Sequence, residues 1–168
     1  MNNAFTSAAR RGAAGAILLL ALALLPAWPC RAADKAAAPP PVAWRSFREA
    51  TAEARHRDCP LLVFFSAAWK ASSVRLDRET WSDPRVRRYL DENIVAAAVD
   101  MQDMPAVAKH FGIAEPPAIL LLAPDGTQLA MLRGFHGPAA VVRVCTYAAS
   151  GAWEYTDYET WLSHNLVR

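Results

Sequence analysis

The stretch LLVFFSAAWKASS, residues 61–73, decides how this chain folds. Leu61 to Phe65 is a continuous apolar run, too short for a helix and preceded by Pro60, which predicts a strand buried on both faces. Such strands occupy sheet centres. From Ala71 to Thr80 the pattern turns helical, with Ala67-Ala68-Trp69 after the strand.

Upstream, Ser46-Phe47-Arg48-Glu49 forms a capping box, so a helix is expected to about Arg57, where Asp58-Cys59-Pro60 stops it. Downstream, Ser82-Asp83-Pro84 starts a helix carrying Val86, Tyr89 and Leu90 on one face, and Ile94 to Val99 reads as a second buried strand. Asp103 to Phe111 is a short helix that leads into a loop through Glu115-Pro116-Pro117. Ala118 to Ala123, the turn Pro124-Asp125-Gly126 and Thr127 to Leu132 give a hairpin signal, and Gly137-Pro138 opens a helix through about Ala149. Strands alternating first with helices and then with a hairpin imply a mixed sheet covered on both faces. After Gly151 a second capping box, Thr156 with Glu159, predicts an added helix with the stripe Tyr158, Trp161, Leu162 and Leu166 packed on the domain. Trp153, Tyr155, Tyr158 and Trp161 also fit a face that docks on a membrane complex.

A length of 168 residues allows one ordinary domain plus an appendage. With 54% hydrophobic and 20% charged residues the body can bury a core, which excludes a wholly disordered chain. Without Arg10, Arg11 and Arg31, the 18 basic residues fall to 15 against 16 acidic ones, so no basic field argues for nucleic acid. Those arginines belong to the N-terminal segment. Arg10-Arg11, the apolar run Ala13 to Leu25 and the small residues around Ala32 follow the order of a secretory signal peptide, with Ala33 as the expected mature N-terminus. An uncleaved anchor is the alternative, and export to the periplasm or beyond is expected in both cases. The organisation is thus a leader over 1–32, an Ala/Pro-rich linker over 33–43, a domain over 44–150 and an aromatic extension over 151–168. His56, His110, His136 and His164 share no metal-motif spacing, so no metal is expected. Nor is a cofactor, since Gly-rich phosphate loops are absent.

The element order, with Ala67-Ala68-Trp69 after a buried strand and Pro117 just before the next, resembles the α/β thioredoxin-like fold, three layers with helices on both faces of a mixed sheet. Ala67 to Ser73, followed by Thr80-Trp81-Ser82-Asp83-Pro84-Arg85-Val86, is similar to the group containing the C-terminal periplasmic domain of the thiol:disulfide interchange protein DsbD. In that group a strand runs into A-x-W-C-x-x-C, and T-[FW]-S-D-P-x-V follows at this spacing. The resemblance covers roughly residues 44 to 149 and implies a disulfide oxidoreductase with a cis-proline at Pro117.

The residues depart from that implication where the chemistry lies. Lys70 and Ser73 stand at the two cysteine positions, flanked by Trp69, Ala71 and Ser72. Disulfide exchange needs a thiolate activated at a helix N-terminus and a second thiol one turn away. Neither residue performs either step, so the resemblance implies a degenerate site. A Ser-Lys hydrolase pair is the catalytic alternative, but no oxyanion hole is recognisable; Ser72 or Ser73 is expected to satisfy first-turn N–H groups. In the family the residue before the cis-proline pairs its backbone with an extended peptide. Here it is Pro116, which has no N–H, so binding at Trp69, Pro116 and Pro117 is expected to be altered.

The topology implied by the resemblance brings Cys59 and Cys145 to the end of the sheet opposite this site, where a structural disulfide and two free thiols are both open. The reading is an exported binding or scaffolding module for an unknown envelope protein. Membrane association through the N-terminus or the aromatic tail is a further expectation, and a periplasmic thiol:disulfide oxidoreductase is the rival class.

Overall fold

The computed structural model describes residues 41–165. The leader, most of the linker and Leu166 fall outside that range. The elements are α1 (Phe47–Arg57), β1 (Leu61–Ser66), α2 (Ala71–Glu79), α3 (Pro84–Asn93), β2 (Val95–Asp100), α4 (Pro105–His110), β3 (Ala118–Leu122), β4 (Gln128–Arg133), α5 (Pro138–Ala149), a 3-10 turn (Ala152–Glu154) and α6 (Tyr158–Asn165).

The strands form one mixed sheet in the order β2-β1-β3-β4. β1 runs parallel to β2, with Phe65 opposite Val99, and antiparallel to β3, with Phe65 opposite Ala118. β3 and β4 are the antiparallel hairpin, irregular at Leu121/Leu122. Because successive strand residues point to opposite faces, β1 contributes to two cores. Leu62 and Phe64, with Ile119 and Leu121, meet Leu76 of α2, Val86 and Leu90 of α3, and Val141, Val144 and Cys145 of α5. Leu61, Val63 and Phe65, with Leu120 and Leu122, meet Ala50 and Ala54 of α1 and Ala108 of α4. The result is the expected three-layer α/β arrangement.

Local signals set the helix ends. Ser46 Oγ accepts from Glu49 N at 3.3 Å while Ser46 N donates to Glu49 Oε2 at 3.3 Å, closing the capping box, and Asp58 in the left-handed region ends α1. Asp83 caps α3, its Oδ1 accepting from Arg85 N at 2.8 Å, with Pro84 following.

One expectation is corrected. The last helix is capped by Asp157: its Oδ1 accepts from Thr160 N at 2.9 Å and its Oδ2 from Thr160 Oγ1 at 2.8 Å. The carboxylate thus takes the role assigned to Thr156, and the reciprocal pair with Glu159 is not used. The tail packs as expected all the same. Tyr147 lies 5.4 Å from the ring of Tyr158 and 5.6 Å from that of Trp161, and its hydroxyl donates to Thr156 O at 2.7 Å. Tyr155 remains fully outward.

Of the two outcomes left open for the cysteines, the structure shows free thiols at both Cys59 and Cys145. They do reach the same end of the sheet, since Asp58 and Pro60 border the same hollow as Ala148 and Ala149. Cys145, however, is buried in the core under α2, α3 and α5, whereas Cys59 packs against the core under α1. The sheet separates them. Burial holds both thiols above their ordinary range, Cys145 far above it. Alkylation of the unreduced, denatured chain followed by mass spectrometry is therefore expected to label both Cys59 and Cys145, while native Cys145 stays unlabelled at pH 8; a 59–145 disulfide peptide would refute the separation.

Candidate ligand-binding groove

One side of the groove is built where β1 gives way to α2. Ala67 is fully buried, Ala68 and Trp69 turn outward, and Lys70 takes the extended N-cap position, its carbonyl accepting from Ser73 N at 2.9 Å and Val74 N at 3.2 Å. Trp69 is 62% exposed. The Lys70 Nζ sits 5.7 Å from the Trp69 ring centroid and 3.5 Å from Glu115 Oε2. Ser73 points the other way. It is 2% exposed, and its Oγ accepts from Ala67 N at 3.3 Å, tying the strand exit to the first turn of α2.

The opposite side is the loop before β3. The Pro116–Pro117 bond is cis, as the resemblance implies, and both prolines are buried. Pro117 O accepts from Gly134 N at 2.8 Å, which joins the loop to the end of β4, and Arg133 Nη2 donates to Gly112 O at 3.4 Å. Between the two sides lies an open cleft of about 510 Å³ lined by residues that include Lys70, Ser72, Glu115, the two prolines and Arg133. Thr80 Oγ1 donates to His136 O at 2.8 Å, and His136 Nε2 lies 3.1 Å from Arg133 O, so these side chains brace the loop after β4.

The structure thus brings Lys70, Pro116 and Pro117 to one cleft, leaves Trp69 exposed beside Lys70, and sends Ser73 elsewhere. The Ser-Lys pairing is not assembled, because the serine hydroxyl is enclosed behind the helix start while the lysine amine reaches across the cleft to a carboxylate. The expected capping by Ser72 or Ser73 is also corrected: α2 has no side-chain cap, and the N–H that Ser73 receives belongs to Ala67. Glu115 and Arg133 were not singled out by sequence reasoning. The signal for Glu115 was its place directly before the two prolines; nothing in the linear order couples it to Lys70, 45 positions earlier.

No thiol lines this groove among the described residues, whose two cysteines are Cys59 and Cys145. Nor does any group of three or more His, Cys, Asp or Glu side chains among them have the geometry to hold a metal ion. What the arrangement can do is hold an extended segment: a proline floor and two cationic side chains converge on an open cleft, with the exposed Trp69 ring next to Lys70.

This geometry is that of a thioredoxin-like domain. Residues 43–124 match the family described as Thioredoxin-like, and the domain that contains them has the thioredoxin-like fold. Its fold is shared with DsbH oxidoreductase at a TM-score of 0.61 and 17% identity, over 67% of this chain and 88% of that one. It is shared also with a thioredoxin from Thermus thermophilus at 0.59 and 21%, over 71% and 99%. The oxidised C-terminal domain of DsbD from Neisseria meningitidis gives 0.53 and 21%, over 60% and 90%. No curated protein sequence matches the chain.

Ser73→Ala is expected to lower stability by about 1–3 kcal/mol, because it strands a buried N–H. A urea titration measures this, and an unchanged midpoint would remove Ser73 from its structural role.

Proposed function

We propose that this chain is an exported thioredoxin-like domain that binds a polypeptide segment in the groove between Trp69 and Pro116–Pro117 without exchanging disulfides. The observation that carries the reading is the fate of the two positions where the family places its thiols. Lys70 is engaged with Glu115, and Ser73 is enclosed and hydrogen-bonded to the backbone. A disulfide exchanger needs an accessible thiolate at the first and a resolving thiol at the second. Cys59 and Cys145 do not replace them, since both lie away from the groove and are held protonated by burial.

The groove keeps what binding requires. Trp69 presents a large rigid face at low conformational cost beside the open cleft at Lys70. Pro116 removes one backbone donor from the strand-addition mode, which shifts recognition toward side chains. Export rests on the order of basic residues, apolar run and small residues over 1–32.

In an insulin-reduction assay with dithiothreitol, the full chain is expected to show no turnover above the uncatalysed rate, whereas Lys70→Cys combined with Ser73→Cys gains turnover. Wild-type activity that disappears in Cys59→Ser or Cys145→Ser would establish the rival oxidoreductase reading.

Expressed in a Gram-negative host, the chain is expected in the periplasmic fraction with Ala33 as its N-terminal residue by Edman sequencing. Retention of an intact leader in the cytoplasm would refute export.

A further inference from the structure

The charge of the groove comes from three separate elements. Lys70 stands at the N-cap of α2, Arg133 at the end of β4 and Lys109 in the last turn of α4. Lys109 belongs to a neighbouring hollow of about 520 Å³ lined by Met101, Pro105, Ala108, Gly112, Ile113 and Ala114 as well. That hollow is almost wholly apolar. It adjoins the Lys70 cleft at Ala114, which lines both.

Across the two hollows Glu115 is the single lining carboxylate against three cations. Asp100, close in sequence to Met101, turns its carboxylate to its own loop and accepts from Gln102 N at 2.8 Å. Glu115 is a weakly held counterion. Its side chain is 81% exposed, and its single ion pair is the 3.5 Å approach to Lys70. Exposed pairs of this kind contribute little and are screened by salt, so an arriving carboxylate that also meets Arg133 displaces Glu115 at small cost. The first-turn N–H groups of α2 have no side-chain cap, and their field favours the same sign of ligand charge.

Building on the binding reading above, we propose that the groove selects segments of a partner protein in which an acidic side chain is followed closely by an apolar one. The carboxylate takes the place of Glu115 on Lys70, beside Arg133. The apolar side chain fills the hollow bounded by Met101, Pro105, Ala108 and Ile113. Trp69 flanks the segment. Pro116 makes this charge preference matter more, because a segment that forms one backbone bond fewer depends more on its side chains. Glu115 then acts as an internal competitor that keeps the empty groove paired.

The test pans the full chain against a phage-displayed random dodecapeptide library, followed by fluorescence-polarisation titration of the selected peptides. Asp or Glu beside Leu, Ile, Met or Phe is expected to be enriched several-fold over the input. Replacing the peptide's acid by its amide, or Lys70→Gln in the protein, is expected to weaken binding by about three- to five-fold, the two changes together costing little more than one. Glu115→Gln is expected to tighten binding by about two- to three-fold. Peptides that lose binding in Trp69→Ala but show no acidic excess, or are indifferent to Lys70→Gln, overturn this selectivity and leave the binding reading standing. Enrichment of no peptide sensitive to Trp69→Ala overturns both.

Discussion

The whole domain depends on burying β1 on both faces. Leu61 to Phe65 are each at most 3% exposed, and every one of these side chains needs a neighbour from the sheet's own cover. Full burial of such a residue stabilises by about 1.5–3 kcal/mol, so five in succession dominate the local energetics. That gain is realised only if helices close both sides, which is why α1 and α4 lie on one face and α2, α3 and α5 on the other. It also requires strands on both edges of β1, supplied by β2 in parallel and β3 antiparallel.

The position of the groove follows from the same constraint. A central strand flanked on both edges releases its chain only at the sheet's end, and there Ala67 to Lys70 make the turn into α2. The antiparallel neighbour β3 begins beside that point, with Ala118 opposite Phe65, so the prolines preceding it are delivered to the same place. Lys70 and Pro117 therefore come to line one cleft through register, across 47 residues of sequence. The hydrogen bond from Gly134 N to Pro117 O and the bracing by Thr80 and His136 hold the far wall. Within this frame the strand-to-helix turn carries Lys70. A cation introduced beside a proline loop calls for a counter-charge, and Glu115 supplies one while staying solvated.

Much of this was legible in the linear order. The capping box of α1, the proline-led helix starts and the short apolar runs are local signals, set by backbone donors and acceptors within a few residues. α1, α3 and α5 accordingly begin where their residues indicate. The last helix is the instructive departure. Thr156 and Asp157 both satisfy the pattern of a cap, and Tyr147 decides between them by fixing Thr156 O from outside the segment. The cysteines teach a related lesson. Topology brings both to one end of the sheet, but which face each side chain meets depends on helix rotation and on the turn ahead of β1.

By itself the sequence determined the layers, the order of elements, the lysine and serine at the strand-to-helix turn and the proline pair before β3, because each is written in contacts within a turn or a strand. Tertiary structure alone decided that Lys70 meets Glu115, that Ser73 turns inward to Ala67, and that the sheet stands between Cys59 and Cys145. Those outcomes depend on register and helix rotation, which are fixed when separate elements pack together and are encoded in no single stretch of the chain.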